Sequence, residues 1–255
     1  MRLEISALSK PGGREPNEDA FGCWSSETAS FCLVCDGAGG HGGGEIASRL
    51  AVRVVLAQFQ ANAQCDARAI AAAITAAQQA MLAAQREGSG AAHMRATTVV
   101  LAIDTVRAIA SWGHLGDTRL YCFRDHRIIA RTKDHSVVQR MVDAGYLRDG
   151  DLREAVERNR LFAALGQTEN FAPTVITEPL RLQNGDAFLL CTDGFWDNVA
   201  DEQMIAALAQ SPSTQEWLAH MERDVIARGG PDQDNYSALA VWCGEWAPPN
   251  GAAAF

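Results

Sequence analysis

The sequence lacks any long apolar run. No window approaches the roughly 18 uninterrupted apolar residues that a membrane-spanning helix needs. The segment Met1–Lys10 also lacks the apolar stretch of a secretory signal. From these two absences we expect a cytoplasmic protein without a membrane partner.

Clustered positive charge is missing as well. The chain has 22 Lys and Arg against 31 Asp and Glu, which gives a formal net charge of -9 at pH 7, and its basic residues are scattered. A nucleic-acid-binding surface needs grouped Lys and Arg to displace the counterions around the phosphates. We therefore expect no nucleic-acid partner, whereas an acidic protein can still favour divalent metal ions.

The cysteines do not form the even set of a disulfide framework. There are seven, and most lie inside apolar runs, which is typical of reduced, buried thiols. Cys32 and Cys35 form a single C-x-x-C, but residues three apart in an extended strand point to opposite faces. We expect these two side chains to belong to the core and not to bind zinc.

What remains is the composition of one ordinary folded domain. With 255 residues, 47% hydrophobic and 21% charged, the chain can bury one large core. We predict a single domain over residues 1–244 and a flexible tail over 245–255. Eight short apolar or β-rich runs predict strands. They are Leu3–Ser9, Asp19–Trp24, Phe31–Cys35, Thr97–Ile103, Ala108–Gly113, Arg119–Arg124, Ala187–Cys191 and Ser237–Cys243.

Between these runs the apolar residues recur with a helical period. The pattern predicts two consecutive helices, over about residues 47–58 and 70–84, before the chain returns to strands. The capping-box spacing of Ser213–Glu216 predicts another helix start. A charged stretch over about residues 136–159 is expected to form one or two peripheral helices. Strands and paired helices that do not alternate predict an α+β fold with antiparallel sheets covered by helices.

Acidic residues lie where the apolar strands end. Asp36 and Asp193 each follow an apolar run directly, and each precedes a glycine. Asp234 stands three residues before a predicted strand, and Glu18 comes just before another. One Asp-Gly pair alone indicates only a turn. If these strand ends converge, the carboxylates repel one another in a partly desolvated place, and the cost is relieved by protonation, by basic partners or by metal. Oxygen ligands suit Mg²⁺ or Mn²⁺ better than zinc.

The segment Gly37–Gly42 allows a different interpretation. It reads G-x-G-x-x-G after a predicted strand and before a predicted helix, which is the context of a dinucleotide-binding fingerprint. That fingerprint needs an acidic residue about 20 positions further on, and residues 46–65 contain no Asp or Glu. No Gly-Lys-Ser/Thr follows, so the pattern is not a Walker loop. A nucleotide-binding protein that uses this loop remains a weakly supported alternative.

An ordered set of motifs resembles the PPM or PP2C-type metal-dependent Ser/Thr protein phosphatases in their bacterial form. The resemblance extends from about Leu3 to Cys243, and only the whole set is specific. The motifs are Arg14–Asp19, Cys35–His41, Gly44–Ser48, Ala96–Thr98, His114–Tyr121, Asp134–Ser136, Ala164–Gly166, Cys191–Asp197 and Asp234–Asn235.

The resemblance implies a four-layer α/β/β/α sandwich of two antiparallel sheets flanked by helices, with a metal site at one edge. It implies two Mn²⁺ or Mg²⁺ ions and, beside them, a third and weaker one. The implied ligands are Asp36, the carbonyl of Gly37, Asp193 and Asp234, with Glu18 acting through water and Asp117 at the third ion.

The same resemblance implies hydrolysis of phosphoserine or phosphothreonine in proteins, by attack of a hydroxide that bridges the two ions. Arg14 would clamp the phosphate. His41 is a candidate acid or substrate contact, and residues 137–160 correspond to the mobile flap of the family. The implied partners are phosphorylated proteins and a Ser/Thr kinase, and we expect a monomer.

The alternative from another functional class is a catalytically weak module that senses phosphoproteins. A decayed member of the fold would be expected to lose metal carboxylates. The main acidic positions Glu18, Asp36, Asp193 and Asp234 are all present. The sequence therefore favours the enzyme over the sensing module.

Overall fold

The structure is a computed structural model. It describes residues 1–40, 42–87, 93–148, 150, 152, 155, 157 and 159–244. His41, the predicted tail over 245–255 and parts of the predicted flap lie outside these ranges. Within them, none of the helices has both the length and the apolar character needed to span a bilayer.

The described residues contain eleven strands and six helices. The strands are β1 (Leu3–Lys10), β2 (Asp19–Ser25), β3 (Ala29–Ala38), β4 (Arg95–Asp104), β5 (Ile109–Leu115), β6 (Arg119–Arg124), β7 (Arg127–Arg131), β8 (Thr174–Val175), β9 (Leu180–Arg181), β10 (Ala187–Cys191) and β11 (Tyr236–Cys243). The helices are α1 (Gly43–Ala61), α2 (Ala67–Glu87), α3 (Val137–Asp143), α4 (Asp193–Trp196), α5 (Asp201–Gln210) and α6 (Thr214–Arg228).

These strands form two sheets, and within each sheet all neighbouring strands are antiparallel. The first sheet has the order β1-β11-β10-β6-β7, and the second has the order β2-β3-β4-β5-β8 with β9 also beside β5. A dinucleotide fingerprint works inside a parallel βαβ unit. The segment that begins at Gly37 instead starts within the last residues of β3, a strand of an antiparallel sheet, so the fold gives the nucleotide-binding alternative no support.

Three apolar clusters define the layers of the molecule. One lies between the two sheets and includes Val34 and Leu239. A second joins the outer face of the second sheet to α1 and α2, where Phe31 of β3 stacks on Phe59 of α1 at 4.0 Å between ring centroids. The third joins the first sheet to α5 and α6 around Trp217. The four-layer α/β/β/α sandwich predicted from the resemblance is therefore confirmed.

Local details follow the sequence pattern closely. Cys32 faces the cluster between the sheets and Cys35 faces the helices, as the alternation along a strand requires. The Oγ of Ser213 accepts a hydrogen bond from the backbone N–H of Glu216 at 3.1 Å, so the predicted cap of α6 is present. Helix α3 is shorter than the charged stretch in which it was predicted.

Candidate metal centre

The acidic residues that follow or precede the strands meet at one edge of the sandwich. Because β10 and β11 are antiparallel, with Cys191 opposite Ala238, the end of β10 and the start of β11 lie at the same end of the sheet. Asp193 lies two residues after β10, and Asp234 lies two residues before β11. The register of β2 and β3 brings Asp19 opposite Asp36 in the facing sheet, with Glu18 just before Asp19.

The result is a cleft of about 510 Å³ between the sheet edges. Its lining contains all five acidic residues that the sequence and the resemblance predicted. They are Glu18, Asp36, Asp117, Asp193 and Asp234. Gly37 and Arg14 line the same cleft, so the structure brings together every predicted site residue that it describes.

The glycines after Asp36 and Asp193 allow close packing of the backbone around the cleft. A Cβ on Gly37 would lie 2.0 Å from the carbonyl oxygen of Gly44 in α1, which is an impossible contact. A Cβ on Gly194 would lie 2.1 Å from the carbonyl oxygen of Asn235. At both Asp-Gly pairs the backbone therefore packs directly against another segment, at the end of β3 for Gly37 and in α4 for Gly194.

Burial and mutual repulsion disfavour the charged forms of Asp36, Asp117 and Asp193. Burial raises the pKa of Asp36 well above its ordinary value, and the charges of Asp19 and Asp193 raise it further. The pKa of Asp117 is raised well above its ordinary value, mainly by burial. The pKa of Asp193 rises to about 6, first through burial and then through the charge of Asp234. The cluster thus needs either protons or cations.

The donor chemistry of the cleft fits hard divalent cations. Its acidic side chains offer only oxygen, and the Oδ1 atom of Asp19 behind them is buried without a hydrogen-bond partner. Within the described ranges, no three acidic, histidine or cysteine side chains are drawn together as a complete ligand set. Mg²⁺-like ions are typically held by one or two carboxylates and keep several waters.

Arg14 is the cationic side chain that contacts this acidic group. Its Nη1 atom pairs with the Oδ1 atom of Asp234, and its side chain is 58% exposed. The loop that carries Arg14 is fixed by Asn235, whose Nδ2 donates to the carbonyl of Pro11 at 2.8 Å and whose Oδ1 accepts from the N–H of Glu18 at 2.8 Å. Arg14 therefore lies at the acidic cleft, next to Asp234.

Sequence reasoning missed Asp19 as a member of the site. Asp19 is buried, and its Oδ2 accepts a hydrogen bond from the Oγ1 of Thr192 at 2.9 Å across the two sheets. Burial raises the pKa of Asp19 to about 7, against an ordinary value of 3.8. The available signal was its position at the start of a strand, where antiparallel pairing brings it opposite Asp36.

A buried network behind Asp117 was also missed. Arg119 binds both carboxylate oxygens of Asp134, at 2.8 and 2.7 Å, and its guanidinium lies 3.4 Å from the ring centroid of Trp196. The indole Nε1 of Trp196 donates to the backbone carbonyl of Asp117 at 3.0 Å. On the other side, the Nδ1 of His135 accepts from the N–H of Gly116 at 3.2 Å. Both contacts hold the loop that positions Asp117.

The raised pKa values of Asp19 and Asp193 predict an unusual dependence of stability on pH. Between the ordinary value of 3.8 and about 6 to 7, the folded state keeps protons that the unfolded chain has released. Stability is therefore lost as pH rises through this window. With a chelator present, we expect the melting temperature to fall between pH 5 and pH 7.5, and Mn²⁺ at pH 7.5 to raise it again. A smaller fall in Asp19→Asn is the control. A melting temperature that rises across this window would contradict the burial of these carboxylates.

Comparison with known proteins agrees with the geometry of the site. The protein phosphatase 2C family profile matches residues 12–235. The serine/threonine protein phosphatase PstP of Mycobacterium tuberculosis is 31% identical over 231 residues, which cover 90% of this chain and 43% of that protein. This chain thus spans less than half the length of that relative. The serine/threonine phosphatase stp of Listeria monocytogenes is 27% identical over 239 residues, 89% of this chain and 90% of that protein.

A solved structure gives the same result at the level of the fold. The catalytic domain of PstP, in complex with two manganese ions, superimposes with a TM-score of 0.79 at 27% identity, and the match covers 95% of this chain and 99% of that one. The range matched by the family profile includes Glu18, Asp36, Asp117, Asp193 and Asp234, the acidic residues that line the cleft. The chain therefore belongs to the protein phosphatase 2C family, in its bacterial form.

Proposed function

We propose that this chain is a metal-dependent protein phosphatase that hydrolyses phosphoserine and phosphothreonine in proteins. The observation that carries the proposal is the convergence of Asp36, Asp117, Asp193 and Asp234 in one cleft, with Arg14 beside them. The similarity to relatives named as Ser/Thr phosphatases supports the substrate class.

The proposed cofactors are divalent cations, Mn²⁺ or Mg²⁺. Two of them would be held by Asp36, the carbonyl of Gly37, Asp193 and Asp234, with Glu18 acting through water. When bound, such ions lower the pKa of water and neutralise charge on a phosphoryl group. We further propose Asp117 as a ligand of a third, weaker ion. The two manganese ions in the PstP structure support a pair of cations here.

The role that the chain itself supplies is the capture and orientation of the phosphate. A guanidinium carries five N–H donors, and the contact with Asp234 uses one nitrogen of Arg14. The remaining donors can bind two oxygens of a phosphate in the cleft and offset its charge. Asn235 joins the loop of Arg14 to the backbone of Glu18. These hydrogen bonds fix the position of the proposed phosphate clamp relative to the proposed metal carboxylates. His41 remains a predicted substrate contact or acid.

Removing Arg14 is expected to weaken both substrate binding and turnover. For Arg14→Ala we expect a higher KM and a lower kcat, because the phosphate loses charge-assisted hydrogen bonds worth about 1.5–3 kcal/mol. Arg14→Lys keeps the charge but loses the planar fork, so it should recover only part of the loss. Steady-state kinetics with p-nitrophenyl phosphate measure both constants. An unchanged KM in Arg14→Ala would remove Arg14 from the phosphate clamp.

The proposed function is tested by phosphate release from a phosphothreonine peptide. Wild-type protein should release phosphate with Mn²⁺ and should stop when excess chelator is added. A sensing module would bind the peptide without releasing phosphate, and that result would replace the enzyme with the alternative. Release that continues unchanged in chelator would contradict the metal-dependent mechanism.

We also propose that the chain acts in the cytoplasm as a monomer, and that it removes phosphates which a Ser/Thr kinase has added. The chemistry requires a kinase, because a phosphate ester on serine or threonine must be formed before it is removed. The seven free cysteines, five of them buried, support a reducing compartment. Light scattering of the purified protein distinguishes a monomer from a dimer.

A further inference from the structure

Arg95 is a cationic residue of the metal cleft to which the proposed reaction gives no role. It is the first residue of β4, it is exposed, and it lines the same cleft as Asp36 and Arg14. None of the ion pairs between described residues involves Arg95. An arginine in this position is available to a ligand.

The register of the second sheet sets the direction in which Arg95 points. Arg95 lies opposite Ala38, and Thr97 lies opposite Asp36, on antiparallel strands. Residues directly opposite each other, and residues two apart on one strand, share a face of the sheet. Arg95 therefore projects from the same face as Asp36, about 7 Å further along the strand.

The backbone that carries Arg95 is held on both sides. On one side β4 pairs with β3 as far as Ala38. On the other side Ala96 exchanges two hydrogen bonds with Leu165, at 3.3 and 2.8 Å. The exposed guanidinium of Arg95 is thus attached to backbone that is already ordered. Binding of a ligand therefore costs little backbone conformational entropy.

A second arginine of the cleft is less available. Arg160 is exposed and lines the cleft, but its Nη1 pairs with the Oε1 of Glu157 at 3.3 Å. A ligand at Arg160 would compete with that carboxylate, whereas a ligand at Arg95 would meet no such competitor.

The offset between Asp36 and Arg95 along the strand matches the separation of two residues in an extended peptide. Successive Cα atoms are 3.8 Å apart, so an offset of about 7 Å corresponds to two residues from the phosphorylated side chain. A guanidinium prefers planar or tetrahedral anions, which in a protein substrate are carboxylates or phosphates. Because the protein has a net charge of -9, such anions need a local cation to be favoured.

We propose that Arg95 forms an anion subsite beside the phosphoryl site, which selects phosphoproteins that have a carboxylate or a second phosphate within about two residues of the target phosphate. The inference rests on the proposed phosphatase function and names the substrate class of that same cleft.

The test compares four substrates that share one phosphoryl group. They are p-nitrophenyl phosphate, a phosphothreonine peptide with neutral neighbours, the same peptide with Asp neighbours, and a doubly phosphorylated peptide. Wild-type protein should prefer the two anionic peptides through a lower KM. In Arg95→Ala their KM should rise about tenfold, the loss of one charge-assisted contact. Turnover of p-nitrophenyl phosphate and of the neutral peptide should change less than about twofold. Arg95→Glu should reverse the preference, because like charges repel.

The matched control is Arg107→Ala. Arg107 lies in the turn at the opposite end of β4 and makes one exposed contact with Asp104 at 3.8 Å, so the change in net charge is the same but far from the cleft. This variant should keep the wild-type preference.

Each outcome decides the matter. A selective loss with both anionic peptides supports a general anion subsite, and a loss with the doubly phosphorylated peptide alone supports a phosphate subsite. Equal effects of Arg95→Ala on the neutral and anionic peptides would overturn the subsite, as would a wild-type protein that hydrolyses all peptides alike. Both of those results would leave the phosphatase function standing. A wild-type protein that hydrolyses none of the substrates with Mn²⁺ would overturn the function and the subsite together.

Discussion

Asp36→Asn is expected to abolish Mn²⁺-dependent hydrolysis of p-nitrophenyl phosphate while the fold stays intact. Desolvation and the charges of Asp19 and Asp193 raise the pKa of Asp36, so its negative charge is costly there without a cation. Asparagine keeps the shape of the side chain but loses the charge that would hold the proposed ions. Because each such ion contributes several kcal/mol of transition-state stabilisation, the rate should fall by roughly a thousandfold or more. Asp193→Asn should have the same effect.

Asp36→Asn is expected to lose activity but not stability. In chelator at pH 7.5 the variant should melt at or above the wild-type temperature, because it removes a partly buried charge that repels its neighbours. Mn²⁺ should then stabilise the wild type more than the variant. Asp125→Asn is the matched control, since Asp125 is an exposed turn residue with a positive φ that asparagine also adopts. Wild-type turnover in Asp36→Asn would remove this residue from the site.

Arg119→Met is expected to cause the largest loss of stability. Arg119 and Asp134 form a bidentate ion pair whose side chains are 2% and 5% exposed. Methionine leaves the carboxylate of Asp134 buried without a cation, which costs about 3–5 kcal/mol. Urea unfolding measures this loss. Activity should also fall, because Arg119 stacks on Trp196, which holds the backbone of Asp117.

Two further variants distinguish an unpaired charge from lost packing. The double variant Arg119→Met/Asp134→Leu removes both charges and should recover much of the lost stability. Arg107→Met breaks an exposed pair and should change the free energy of unfolding by less than about 1 kcal/mol. If Arg119→Met lost less than about 1 kcal/mol, the ion pair would not be a structural support of the Asp117 loop.

Glu18, Asp36, Asp193 and Asp234 were predictable because each one lies at the end of a predicted strand, whereas Asp117 was predicted from the family resemblance alone. Asp36 and Asp193 end apolar runs, so their place at a sheet edge followed from the strands themselves. The contact between Arg14 and Asp234 was not predictable, since it joins two loops 220 residues apart. Asp19 was missed because its role depends on pairing with Asp36, which the sequence does not show without the register.

The elements that escaped prediction were the short or weakly patterned ones. Strands β8 and β9 have two residues each, too few to show an alternation. Strand β7 begins and ends with arginine and lies at the edge of its sheet. Asp134 and Arg119 also escaped, because a charged residue in or beside a strand suggests an exposed position until its partner is known. These three strands and the ion pair between Arg119 and Asp134 depend on contacts with other parts of the chain more than on local sequence propensity.

The central claim is that acidic residues far apart in the chain share divalent ions in one cleft. Anomalous diffraction at the manganese edge, from crystals grown with Mn²⁺, tests it most directly. We predict anomalous peaks in contact with the carboxylates of Asp36, Asp193 and Asp234. Well-ordered carboxylates at these three positions with no peak beside them would contradict the claim.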